Sequence, residues 1–487
     1  MSEYPGREAR ELAAALTEDL RRTAGPALAW AGIDLRPSAE HFLYTALRRP
    51  AHHEPEGMLS AVRPLVRLAR ATYLTRRWRG PSPAVDVLVL VTQPVHASLF
   101  VPIERELGDA TSAILVDART RGSHNEPIAG TRCRLAAHLE LRQLPSLVAH
   151  AMTVQLRLRT APSAWGRRVD ASTADSLLAI LRRGLPLAAL DAAHIDAMIP
   201  RHRAGVVACF SESGILARIA PVVGRRRGVA VVDLPHADAA DPWGTVGADY
   251  DGVAVYGPRA AEVMRVAGVP IDRIVQIGPL RYDAILSTPR VASADAPRRV
   301  IFASQPADPS KRALHPEVKR ATLRAALAVA EALSPAELVV VPHPTEHDTI
   351  AEEELATMPA IEGVAASIAR AGGLHDVLPG AWVLVTGSSQ SVFDAVLSGI
   401  PAITANLTGG SDPVAFATDG IALGATSAEE AGTLADGLRD PDARRGVVEA
   451  ARASIGGSLG PLDGSAGARA AAWLRSFVNR ADRAGSH

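Results

Sequence analysis

The segment VTGSSQSVFDAVLSGIPAI, from Val385 to Ile403, carries the first clear sign of how this chain folds. An apolar run, Ala381 to Val385, has the length of a buried strand, and Gly387 lets the backbone turn tightly after it. Ser388 or Ser389 is placed to cap a helix running from about Ser388 to Leu397, and Gly399 with Pro401 closes that helix into a second strand, Pro401 to Ala405. Strand, polar turn, helix and strand make one βαβ unit of a parallel α/β domain. The start of such a helix offers free N–H groups and a positive dipole end to an anion, so Thr386, Gly387, Ser388, Ser389 and Gln390 suit a diphosphate. Asp394, about a turn further on, is within reach of ribose hydroxyls. A plain helix cap over a core-facing helix is the alternative reading.

Working outward, similar units recur. Val300 to Ala303, a helix around Pro316 to Leu333 and the strand Glu337 to Val341 complete one array. Val85 to Val91, Ser112 to Val116, Gly205 to Cys209 and Val229 to Leu234, with a helix from Gly214 to Val223, make another. Largely apolar strands alternating with helices imply parallel sheets covered on both faces. The expected organisation is a helical extension over 1–80, a first Rossmann-like domain over 81–290 and a second over 291–487, whose last helix, Gly464 to Val478, could return to the first. In such sheets ligands bind beyond the carboxyl ends of the strands. Polar residues gather there: Thr92, Gln93 and His96; His236 and Asp238; Ser304 and Gln305; His343 to Glu346; and the 386–391 turn. The loops are expected to line one cleft between the domains.

Composition narrows the partners. The chain has 487 residues, long enough for two cores, and 52 basic against 52 acidic residues, a balance that does not call for nucleic acid. Lysine occurs only at Lys311 and Lys319, as suits a biased genome. Cys133 and Cys209 lack metal-ligand spacing, so neither a zinc site nor a disulfide framework is expected, and a reducing cytoplasm fits. No signal-peptide core and no membrane-span run is evident. Ser60 to Arg79 mixes an apolar stripe with arginines and could lie on anionic lipid at the inner membrane face, although packing on its own domain is the preferred reading.

A family resemblance adds to this. Val385 to Ile403 resembles the donor-site segment of GT-B glycosyltransferases: paired serines, an acidic residue, then Gly-x-Pro. The pattern of Ser388, Ser389, Phe393 and Asp394 is similar in particular to CDP-glycerol glycerophosphotransferases. Val339 to Glu346 resembles the strand of that group ending in Lys-Pro-His-Pro. Val255 to Asp283 and Leu459 to Arg469 resemble the interdomain and closing segments of capsule and teichoic-acid transferases. Together these cover about 205 to 475. The chain departs at Val341, where a lysine is usual, so Lys311 or Arg312 is left to supply a phosphate contact. It departs again at Pro235-His236-Ala237, where the family has Gln-His-Gly.

The resemblance implies a GT-B enzyme that moves a glycosyl group from a nucleotide-diphosphate sugar to an acceptor hydroxyl, with the donor as substrate and neither cofactor nor metal. Ser388, Ser389 and Gln390 would hold phosphate, Asp394 the ribose, and Ser304, Gln305 and His343 the nucleotide or its transferred group. His236 or His96 would take the acceptor proton, with Asp238 and Asp241 as carboxylate rivals. Three other functions stay open: transfer of a polyol phosphate from a CDP-polyol; nucleotide-sugar 2-epimerisation, against which Thr92-Gln93-Pro94 stands in place of that family's Gly-Thr-Arg-Pro-Glu; and a binding protein without turnover.

Overall fold

The computed structural model describes residues 7–48, 69–70, 72–73, 84–91, 94–108, 113–117, 131–134, 138–159, 165, 168–210, 215–236, 249–287, 298–309, 312–343, 346, 349–357, 361–369, 373–410, 412 and 414–484. It divides into two compact units, residues 1–281 with 465–487, and residues 282–464.

The first unit opens with α1 (Arg7–Ala24), a two-stranded ribbon of β1 (Ala29–Trp30) and β2 (Ile33–Asp34), and α2 (Arg36–Arg48). Here the sequence suggested helices alone; the ribbon is too short to carry a strand pattern. These elements belong to the core of the unit. Leu16 and Leu20 of α1 are fully buried, each worth about 1.5–3 kcal/mol on burial. The buried Trp165 Nε1 donates to the Leu16 carbonyl at 3.1 Å.

The parallel sheet of this unit comprises β3 (Val87–Val91), β4 (Ala113–Asp117), β5 (Thr131–Arg134), β6 (Val206–Phe210), β7 (Ala230–Leu234), β8 (Gly252–Val255) and β9 (Ile274–Gln276), in the order β5-β4-β3-β6-β7-β8-β9. Its helices are α3 (Pro94–Leu107), α4 (Leu144–Arg157), α5 (Ala171–His202), α6 (Ile215–Arg227) and α7 (Pro258–Val266). β3 and β6 are buried at every residue, which is why their sequences, VLVLV and VVACF, show no polar alternation.

The second unit contains α8 (Asp283–Ser287), β10 (Arg298–Ala303), α9 (Pro316–Ala332), β11 (Ala336–Val341), α10 (Ile350–Thr357), β12 (Val364–Ile368), α11 (Leu374–Val377), β13 (Ala381–Thr386), α12 (Ser391–Leu397), β14 (Ala402–Ala405), β15 (Leu423–Ala425), α13 (Ala428–Gly437) and α14 (Pro441–Leu459). Its sheet is parallel throughout, in the order β12-β11-β10-β13-β14-β15. After β10 the chain builds outward through β11 to β12, then returns to the other side of β10 with β13. The strand order therefore reverses at β10, and the crevice between the ends of β10 and β13 is the topological switch point.

The last helix, α15 (Ala466–Ala484), leaves the second unit and packs in the first. Arg475 donates to the Leu107 carbonyl at the end of α3 at 2.9 Å, and Gly467 meets Pro102 so closely that a Cβ there would lie 2.8 Å from the proline Cβ.

Candidate functional site

In the second unit, residues from four strand ends meet at the carboxyl edge of the sheet. Ser304, just past β10, extends the ladder by donating its N–H to the Val341 carbonyl at 2.9 Å. Gln305 then turns toward β13. Its Oε1 accepts the Ser388 N–H at 3.0 Å and the Ser388 hydroxyl at 3.3 Å, bridging the switch point. Gly387 eases this approach, because a Cβ there would stand a tight 3.2 Å from that oxygen. Beneath lies a recess of about 20 Å³ bordered by Gln305, Gly387, Lys319 and Thr322. It has room for a water molecule and no more, so a diphosphate would lie across its mouth. The hydroxyls of Ser304 and Ser391 are buried and have no hydrogen-bond partner among the described residues. Buried polar groups are nearly always satisfied, so each of these oxygens marks a place where a ligand or water completes the bonding.

The other positions singled out from the sequence have more varied places. Thr386 is fully buried, and its hydroxyl donates to the Ala303 carbonyl at 2.9 Å, which joins β13 to β10 and turns this group away from a ligand. The helix after the turn begins at Ser391, three residues later than the sequence suggested. Gln390 takes the cap position with no side-chain bond, while Ser389 Oγ accepts the Ser391 N–H at 3.3 Å. The expected cap at Ser388 or Ser389 is therefore not formed: both serines precede the cap position and shape the turn before the helix. Asp394 is only 2 % exposed, and its Oδ1 stands 3.7 Å from Nε2 of the exposed His375 on α11.

His343, after β11, is exposed, and its turn is fixed by Glu346. The Glu346 N–H donates to the His343 carbonyl at 2.8 Å, and Glu346 Oε2 accepts the His343 N–H at 3.1 Å. Glu346 is itself held by Lys319 of α9 at 2.6 Å, a pair with side chains 3 % and 5 % exposed.

Sequence reasoning passed over this ion pair, and passed over His375 and the loop after β14. In that loop Asn406 Oδ1 accepts from the N–H and hydroxyl of Thr408, Asn406 Nδ2 donates to the Gly410 carbonyl, and Arg312 donates to the Thr408 carbonyl. The signal was present in Asn406-Leu-Thr-Gly-Gly410, another polar turn following an apolar strand. Arg312 is one of the two expected phosphate contacts; Lys311, the other, lies outside the described residues, as do Pro344 and Thr345.

In the first unit the two candidate bases are neighbours. His96 sits on the first turn of α3 and is fully buried, its ring stacked on Phe210 at the end of β6 at 4.8 Å. His236, just past β7 and half-buried, meets it edge-on at 5.7 Å. Tyr256, past β8, donates its hydroxyl to the His236 carbonyl at 3.3 Å. Burial, and after it the neighbouring His236, pushes the His96 imidazole down to about 3, so it is neutral at pH 7. Thr92, Gln93, Asp238 and Asp241 lie outside the described residues, as does most of the 60–79 stretch. No cluster of three potential metal ligands occurs among the described residues, and no helix there is long and apolar enough to cross a membrane.

Comparison with known proteins points the same way at the level of fold. No protein-family model and no curated protein sequence matches the chain. Among solved structures, it is similar to a Listeria monocytogenes protein assigned as a UDP-N-acetylglucosamine 2-epimerase, with 14 % identity, a TM-score of 0.54, and 82 % of this chain and 97 % of that one covered. It is also similar to S. aureus MnaA solved with UDP, at 11 % identity and a TM-score of 0.50, covering 81 % of this chain and 96 % of the other. The shared fold is the GT-B type, two Rossmann-like units.

Proposed function

We propose that the second unit binds a nucleoside-diphosphate sugar at the crevice between β10 and β13, and that the protein transfers the glycosyl group to an acceptor hydroxyl. The observation that carries this reading is the contact of Gln305 with the Ser388 turn across that crevice, next to the buried, unsatisfied hydroxyl of Ser304. Backbone and hydroxyl donors there take the negative charge of the leaving diphosphate, so the chemistry requires no metal. Ser389 and Gln390 present donors to phosphate, Ser388 adds its own when a bound diphosphate displaces Gln305 Oε1 from its N–H and hydroxyl, and His343 stands at the adjoining strand end. Asp394 serves the ribose, with His375 as its neighbour. In the first unit His236, the more accessible imidazole, takes the acceptor proton, while the neutral, buried His96 fixes its ring against Phe210.

Nucleotide-sugar 2-epimerisation is a second reading, favoured by the fold likeness to a protein assigned to that activity. One experiment separates the possibilities: incubation with UDP-, GDP-, dTDP- and CDP-linked sugars and with a CDP-polyol, with and without acceptor, products being resolved by chromatography and NMR. Glycosyl transfer yields nucleoside diphosphate and a glycoside in equal amounts. Polyol-phosphate transfer yields CMP, and epimerisation yields an isomeric nucleotide sugar. Binding without any product would leave a non-catalytic role and overturn the proposal.

A further inference from the structure

A buried ion pair stands behind the carboxyl edge of the second unit's sheet. Lys319 Nζ of α9 and Glu346 Oε1 are 2.6 Å apart, with side chains 5 % and 3 % exposed. Taking two charges out of water costs about as much as their attraction returns, so an apolar pair of similar size often serves stability equally well. An apolar pair cannot hold a backbone N–H. Glu346 Oε2 accepts the His343 N–H at 3.1 Å, and the Glu346 N–H donates to the His343 carbonyl at 2.8 Å. The carboxylate that Lys319 holds therefore also closes the turn that carries His343.

The residue type and the register support a role at the crevice. Only two of the 52 basic residues are lysine, Lys311 and Lys319, so a lysine at this buried place departs from the chain's habit of using arginine. A compact ammonium fits beside the recess of about 20 Å³ that Lys319 shares with Thr322, Gln305 and Gly387, where a planar guanidinium would intrude. β10 and β11 run parallel with Ala303 opposite Val341, so Gln305 and His343, each two residues further on, leave the sheet at the same level. Lys319 thus borders the floor of the crevice and anchors the turn at its edge.

We infer that Lys319 and Glu346 are positioning residues for the donor site, their pairing fixing the turn that holds His343 where it meets the donor. This role rests on the donor-site reading of the crevice between β10 and β13.

Calorimetric titration of the full chain with UDP, CDP, GDP and dTDP, followed by the tightest of these on variants, tests the role. The variants are His343→Ala, the apolar pair Lys319→Met, Glu346→Leu, and the triple combination, each also unfolded in urea. His343→Ala should weaken binding about tenfold. The apolar pair should weaken it by a similar factor while unfolding near the wild-type urea concentration. The triple variant should bind no more weakly than either, because losses that pass through one turn do not add. A merely structural pair would lower the urea midpoint and leave the affinity of the folded protein unchanged. Should the apolar pair not fold, Glu346→Gln, which keeps an oxygen for the His343 N–H but loosens Lys319, takes its place in the same comparison with an expected loss of about threefold. Undiminished binding by the apolar pair or by His343→Ala, or losses that add in the triple variant, overturn the positioning role and leave the donor site standing. Failure of wild type to bind any of the four nucleotides overturns the donor site and the positioning role with it.

Discussion

Acidification should destabilise the first unit selectively, and the size of the effect follows from its buried histidines. His41, His96, His150 and His194 all lie in that unit, and burial is the largest cause lowering each, to about 3 for His41, His96 and His194 and to about 4 for His150. An unfolded histidine titrates near 6.5. Between that value and the native one the unfolded chain binds a proton that the folded chain does not, so stability falls as pH drops through about 6.5 and continues to fall until the native values are reached. At pH 7.5 the term is close to zero. At pH 5.5 each site contributes on the order of 1 kcal/mol in favour of unfolding, and the four together several kcal/mol, a large part of the whole stability of an ordinary domain. Carboxylates held low by arginine partners, such as Asp249 beside Arg273, lose their contribution only at lower pH and do not offset this. Urea unfolding at the two pH values, with peptide-resolved hydrogen exchange to assign each transition, measures the effect. Removing one titrating group, as in His194→Leu, should reduce the pH dependence by about a quarter, whatever it does to stability at pH 7.5. Equal stability of the first unit at pH 7.5 and 5.5 would refute the reasoning.

Three further outcomes are expected. Lys319→Met strands a buried carboxylate and should cost the second unit about 3–5 kcal/mol in urea unfolding, most of it regained in Lys319→Met, Glu346→Leu; a harmless single variant would contradict the buried pairing. Gln305→Ala releases the Ser388 turn and, if a nucleoside diphosphate binds there, should weaken its affinity about tenfold by calorimetry, whereas unchanged affinity would remove Gln305 from the site. Gly467→Ala would press a methyl group onto Pro102, so it should cost about 1–3 kcal/mol and speed hydrogen exchange along 466–484; full tolerance would mean that α15 is loosely held.

Much of the fold could be read from the sequence because strands buried on both faces are written as unbroken apolar runs, and a polar turn must follow each. Val87–Val91, Ala381–Thr386 and their neighbours fall within a residue or two of where composition placed them. Strands with weaker runs escaped: Thr131–Arg134 reads TRCR, and Leu423–Ala425 is three residues long. Membership of the strand-end loops is likewise a local property, so Gln305, the Ser388 turn, His96 and His236 could be named in advance. Their relations to one another could not. That Gln305 reaches across to Ser388, 83 residues away, depends on β13 returning to pair with β10. That His96 is a buried neighbour of His236, and not its rival at the surface, depends on β6 lying between β3 and β7 and presenting Phe210 to the ring. Local sequence determines which residues stand at strand ends because periodicity and turn chemistry act over a few residues. Strand order alone decides which ends become neighbours, and burial, which sets the charge of each histidine, is fixed only when the elements pack.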